Sequence, residues 1–138
     1  MQNSITLTFT ALTENILLAR LAAATIAHRH GFDIESIEDI KVAIGEAVTN
    51  AIEHGCQNDT DTVNVSITFS KDKLSIVVTD HGVGIDVNKV PTSFSMHERG
   101  FGMLLIENLM DKTDFESITG GGTKVKMVKL LCSEKELI

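Results

Sequence analysis

Tryptophan and tyrosine are absent from this 138-residue chain, and phenylalanine occurs only six times. Aliphatic side chains and alanine must therefore make the core, and stacking platforms for single-stranded nucleic acid are almost entirely missing. Basic charge is also short: 12 Lys and Arg against 19 Asp and Glu leave a formal charge of −7. That balance argues against partners that are nucleic acid or anionic membrane, which need a basic face to displace counterions. The two cysteines, Cys56 and Cys132, stand far apart in no Cys/His metal spacing, which disfavours a disulfide framework or a zinc site and fits a reducing cytoplasm. The longest apolar run near the N-terminus, "ILLARLAAATIA", is broken by Arg20 and is too short to span a bilayer. No basic segment followed by an apolar one marks a secretory signal. With one proline and no long polar tract, the length suits one globular domain over residues 1–138.

What is present reads as alternating strands and helices. "SITLTFT" at 4–10 has the period-2 alternation of a half-buried strand. Thr13 is placed to cap a helix running to about His30, with Gly31 as its left-handed C′ residue. A second helix starts between Asp33 and Ser36 and ends at Gly55, its stripe formed by Ile37, Ile40, Ile44, Ala47, Val48, Ala51 and Ile52. "TVNVSITFS" and "KLSIVVT" then alternate as two strands joined by "SKD" into an antiparallel hairpin. Residues 81–99 show no periodicity, a loop longer than compact domains usually keep without a functional reason. A helix over about 101–111, a strand near 113–119, the "GGG" turn at 120–122 and a strand from Thr123 to Leu131 complete the order. The expected fold is α+β: a two-layer sandwich with a mainly antiparallel, mixed sheet and its helices on one face.

Four stretches carry chemistry. On the second helix, Glu46, Asn50 and Glu53 fall within roughly 60° of one another at about 100° per residue, facing away from the apolar stripe. A solvated face explains that spacing as well as a site does, although mid-helix Asn50 is a poor helix former. "TDHGVGID" at 79–86 places Asp80 at a strand end, where it can accept a hydrogen bond, and its glycines let backbone approach a flat ligand. A calcium loop starting at Asp80 fails, because Pro91 stands where the bidentate glutamate belongs. "RGFGMLLIENLMD" at 99–111 sets Arg99 and a Gly-x-Gly at the start of an apolar helix, a ready anion site. A Rossmann pattern fails because no strand runs directly into this turn and Leu105 stands at the third glycine position, and a P-loop fails because no GxxxxGK[ST] occurs in the sequence. "GGGTKVKM" at 120–127 is a hairpin turn whose glycines would also let Thr123 reach a pocket beside Asp80.

Taken in order, "EAVTNAIEHG", "DHGVGI", "RGFGMLLIENLMD" and "GGGT" resemble the N, G1, G2 and G3 boxes of the Bergerat-fold ATPases, which include gyrase and the histidine kinases. Within that superfamily nearly the whole chain, including "LTFTALTENILLAR", is similar to the bacterial anti-sigma-factor serine kinases of sporulation and general stress control.

The resemblance implies ATP and Mg²⁺ as cofactors and assigns roles residue by residue. Glu46 would be the general base for an attacking serine hydroxyl, and Asn50 the ligand of a phosphate-bound Mg²⁺. Asp80 would accept the adenine amino group with support from Thr123, and Gly82 and Gly84 would give the base room. Gly100, Gly102 and the amides that follow them, Phe101 and Met103, would hold phosphates, with residues 87–99 as a lid. Arg99 and His54 would neutralise phosphate charge. Arg20, otherwise an isolated charge on an apolar helix, would dock a partner. The implied protein is a cytoplasmic homodimer that sequesters a sigma factor and phosphorylates a STAS-type antagonist on serine. A nucleotide-binding anti-sigma or partner-switching module without kinase activity is the alternative, favoured by the short lid and disfavoured by Glu46. The ATPase part of a histidine kinase or gyrase-type enzyme fits least, because no phosphoacceptor-histidine helix or transducer domain is evident.

Overall fold

The computed structural model describes residues 1–56, 58, 60–81, 100–118 and 121–131. Its strands are β1 (Gln2–Thr10), β2 (Thr62–Ser70), β3 (Lys73–Asp80), β4 (Lys112–Ser117) and β5 (Thr123–Leu130). Among the described residues three α-helices accompany them: α1 (Ile16–Arg29), α2 (Ile34–Asn50) and α3 (Phe101–Leu109). The strands form one five-stranded sheet in the order β1-β2-β3-β5-β4. Each of its four pairings is antiparallel, so among the described residues the sheet is not mixed as expected. No described helix is long and apolar enough to cross a membrane.

The strand alternation organises everything above the sheet. Register aligns core-facing residues in rows that cross β2, β3 and β5: Ile67–Ile76–Met127, Val65–Val78–Val125 and Val63–Asp80–Thr123. The first two rows are wholly apolar and buried. In the third, the same period that buries Leu74, Ile76 and Val78 carries Asp80 to a core-facing position at the end of β3. Thr123 faces inward beside it as the first residue of β5. A regular strand pattern thus delivers two polar residues side by side to one end of a hydrophobic layer.

Helix ends follow local chemistry. Asp33 caps α2 by accepting the Ser36 N–H at 2.8 Å, as its residue type suggests. Thr13 does not cap α1; Thr13–Asn15 form a 3₁₀ turn, and the Asn15 side chain donates to the Thr10 carbonyl at 2.9 Å. That bond ties the turn back to β1 and delays the α-helix to Ile16. The second helix also departs from the expected course, because its regular part ends at Asn50 and a π turn carries Ala51–Gly55. Between β2 and β3, Lys71 and Asp72 both take positive φ, 53° and 60°, the geometry of a two-residue hairpin turn.

α2 lays Ile40, Ala43, Ile44, Ala47 and Val48 on the sheet, while α1 contributes Ala19, Ala23 and Ala27, whose small side chains permit close approach. At the end of the sheet away from Asp80, buried Lys129 donates to Asp39 Oδ2 of α2 at 3.1 Å and to the Leu109 carbonyl at the end of α3. One ammonium therefore ties β5 to both helices that carry candidate site residues. Since Ile76 lies fully buried in the central strand, Ile76→Ala should lower unfolding stability by about 2–5 kcal/mol. Chemical denaturation monitored by circular dichroism reads that loss.

Candidate functional site

Asp80 is the centre of the site, 3% exposed and beyond the reach of bulk water. A carboxylate in that position must be hydrogen-bonded to remain charged, and the Thr123 backbone N–H donates to its Oδ1 at 3.2 Å. This bond follows from register, since Asp80 and Thr123 are cross-strand partners. The chain reaches Thr123 through Gly122, whose φ of +110° is unfavourable for other residues. A Cβ there would also stand 2.3 Å from the Asp80 carbonyl oxygen. The glycine run before β5 therefore serves Asp80 as well as turning the chain.

Asp80 and Thr123 form the polar floor of a pocket whose apolar walls come from Ala47, Ala51, Val78 and Val125. Met103 and Asn50 complete its lining. Thr123 Oγ1 is buried without a hydrogen-bond partner among the described residues, an unsatisfied group of the kind a bound ligand relieves. Apolar walls with a buried carboxylate among them suit a ligand that pairs an apolar body with a hydrogen-bond donor.

The start of α3 closes on α2 above this pocket. A Cβ on Gly102 would lie 3.0 Å from Glu46 Oε2 and 3.3 Å from Asn50 Nδ2, so a side chain there would require Glu46 or Asn50 to shift by a few tenths of an ångström. Glu46, Asn50 and the first turn of α3 are thereby neighbours, and Asn50 is only 9% exposed despite lying away from the apolar stripe. Gly100 stands at the N-cap of α3 in right-handed helical conformation, with no side-chain cap. Phe101 turns its ring to solvent, so its contribution to the site is limited to the backbone. The Asn50 side-chain oxygen is of the hard type that Mg²⁺ prefers, so Asn50 could hold such an ion.

Glu46 also borders a second hollow. Arg20, Lys41, Gly45 and Thr49 line it with Ile16 and Val42, between α1 and α2. The Arg20 stem crosses Gly45, with Cδ 3.4 Å from where a Cβ would sit, and its Nε is buried without a hydrogen-bond partner among the described residues. Arg20 is therefore not an isolated surface charge. His54 stands half-buried in the π turn, whereas Glu53 beside it is exposed. Arg99, Gly82, Gly84 and the expected lid at 87–99 lie outside the described residues.

Sequence reasoning missed Gly55 and Cys56. Gly55 looked like a helix stop, yet it lies directly against the Asp80 carboxylate. Burial raises the pKa of the Cys56 thiol, and the charges of Asp80 and Asp61 add to the effect.

Residues 9–129 match the family described as the histidine kinase-like ATPase domain, and the chain belongs to that family. Among its relatives, the anti-sigma F factor of Clostridium acetobutylicum is 37% identical over 135 residues, covering 94% of each chain. The serine-protein kinase RsbW of Oceanobacillus iheyensis is 34% identical over 133 residues, 88% of this chain and 83% of that one. The crystal structure of the RsbU and RsbW domains of a Mycobacterium tuberculosis protein shares the fold with a TM-score of 0.72, at 22% identity. That match covers 93% of this chain and 32% of the longer one.

A raised thiol pKa leaves less thiolate at a given pH, so Cys56 should alkylate slowly near pH 8 and faster as pH rises. In a Cys132→Ser background, Asp80→Asn should speed alkylation at pH 8, because one of the two charges that disfavour the thiolate is removed. Iodoacetamide kinetics followed by mass spectrometry supply both rates.

Proposed function

We propose that this protein is an ATP-dependent serine-protein kinase that also sequesters a sigma factor, with a STAS-type antagonist as its phosphorylation substrate. The observation that carries the reading is the place of Glu46, which touches the start of α3 beside Asn50 and also lines the Arg20 groove. A carboxylate at that junction faces nucleotide phosphates on one side and an incoming protein hydroxyl on the other. Relatives named anti-sigma F factor and serine-protein kinase RsbW, similar over nearly the full chain, support the same assignment.

In the proposed reaction ATP places its adenine in the Asp80 pocket, where the carboxylate accepts the exocyclic amino group. The phosphates lie along the first turn of α3, where the helix dipole favours negative charge. Asn50 would hold Mg²⁺, which supplies charge neutralisation at the phosphates when bound. The substrate serine enters from the groove between α1 and α2, and Glu46 takes its proton as the oxygen attacks the γ-phosphorus. The bond from that phosphorus to the β–γ bridging oxygen breaks, leaving phosphoserine and ADP. Arg99 would add positive charge near the phosphates, and His54 would donate a hydrogen bond to them.

Arg20 would hold the partner protein through its guanidinium, which suits an acidic contact, while Lys41, also lining the groove, pairs with Glu38 at 3.3 Å. Leu17 and Leu21 of α1 stand 56% and 50% exposed, an apolar margin of the kind protein interfaces use. β1 lies at an edge of the sheet, where a second copy of the chain would complete the homodimer.

Incubation with labelled ATP, Mg²⁺ and STAS proteins from the same genome should yield phosphoserine on one of them. Glu46→Gln should reduce that transfer by at least about 100-fold while leaving ATP bound. Asp80→Asn should weaken ATP binding by about 1.5–3 kcal/mol, measured by titration calorimetry. Retained ATP binding with no phosphoserine on any candidate would leave a nucleotide-binding module and reject the kinase.

A further inference from the structure

Gly55 closes the π turn where no side chain has room. A Cβ at this position would lie 2.3 Å from Asp80 Cγ, 2.3 Å from Oδ2 and 2.5 Å from Oδ1. Distances below 3.0 Å do not occur for real Cβ atoms, so either the turn or the carboxylate would have to move. The carboxylate has little freedom to yield. Its Oδ1 is held by the Thr123 N–H, and its backbone is paired on both sides, with Val63 in β2 and with Thr123 in β5. On the far side a Cβ on Gly122 would stand 2.3 Å from the Asp80 carbonyl oxygen, so that position too has room only for glycine. Asp80 is thus gripped between two glycines, one against its side chain and one against its backbone.

The turn that brings Gly55 there is the wide π form, which follows directly from the regular helix ending at Asn50. Single π turns inside or at the end of α-helices recur at functional positions. Here the turn begins one residue after Asn50 and sets Gly55 over the pocket floor, linking the two ends of the site within six residues, 50–55.

We propose that Gly55 is a positioning residue that sets the direction in which Asp80 presents its carboxylate, and so makes the site select adenine over guanine. An amino group at the purine 6-position donates to a carboxylate held in that direction. The carbonyl oxygen of guanine at the same place meets an acceptor with an acceptor. A site built on one fixed hydrogen bond discriminates strongly against the analogue that lacks it. A side chain at position 55 would turn the carboxylate, weakening adenine binding and relaxing the choice of base together. This inference rests on the nucleotide-binding reading above.

The test is calorimetric titration of the full chain with ATP and with GTP in the presence of Mg²⁺, using wild type, Gly55→Ala, Asp80→Asn and the double variant. Wild type should prefer ATP by at least about tenfold. Gly55→Ala should lose at least about tenfold in ATP affinity and retain less than about threefold preference. In the Asp80→Asn background the same change should add less than about twofold, because both substitutions act through one hydrogen bond. Wild type that binds neither nucleotide overturns both readings, whereas unchanged affinity and preference in Gly55→Ala overturns this one alone. Equal losses from Gly55→Ala with and without Asp80 also overturn it, since they would show a role independent of the carboxylate. Should Gly55→Ala fail to fold, Gly55→Ala combined with Asp80→Ala decides. Removal of the crowded carboxylate should restore the wild-type circular dichroism spectrum, and failure to restore it contradicts the proposal.

Discussion

A single hydrogen bond, from the Thr123 amide to the Asp80 carboxylate, governs how this molecule is put together at one end. A buried carboxylate costs several kcal/mol unless it is paired or hydrogen-bonded, so β3 and β5 must meet in one register and no other. A slip of one residue would turn Asp80 to the outer face and send its neighbours Thr79 and His81 inward. The glycine run that enters β5 satisfies the same requirement, because a bulkier residue at 122 would strike the Asp80 carbonyl. From the other side the π turn ends in Gly55, again for want of space beside Asp80. Three segments remote in sequence are shaped around one side chain.

The opposite end of the sheet is ordered by a different ion. Lys129 continues the inward face of β5 and would be a buried unpaired charge without Asp39 and the Leu109 carbonyl. Its bonds hold α2 and α3 against the sheet at the far end from the pocket. Glu46 and Asn50 on α2 then meet the first turn of α3 at Gly102. In the proposed reaction this is where base, metal ligand and phosphate cradle converge, and Glu46 also looks into the groove beside Arg20. Family membership makes a nucleotide the expected ligand of such an arrangement, and the proposed reaction divides the work, with recognition at Asp80 and chemistry at Glu46.

Much of this was legible in the residues. Period-2 alternation marked the strands, and Asp33 and Gly31 marked helix ends that the structure bears out. The separation of Glu46 and Asn50 from the apolar stripe was also visible, but whether they were wet or buried was not. Burial of Asn50 depends on α3 folding back over α2, a contact between distant segments that no local pattern encodes. The π turn escaped notice because Ala51–Gly55 continues the helical periodicity, while the neighbour of Gly55 at its end is Asp80 in another element. The turn at Lys71 and Asp72 takes a glycine-like conformation without glycine, where strand pairing overrides local preference. Arg20 seemed isolated because the groove around it is assembled from two helices.

The most direct measurement is a crystal structure of the protein with a non-hydrolysable ATP analogue and Mg²⁺. The account predicts the adenine amino nitrogen within about 3.2 Å of the Asp80 carboxylate, the phosphates along the first turn of α3 and the metal on Asn50. A nucleotide bound elsewhere, or one whose base turns away from Asp80, would contradict it.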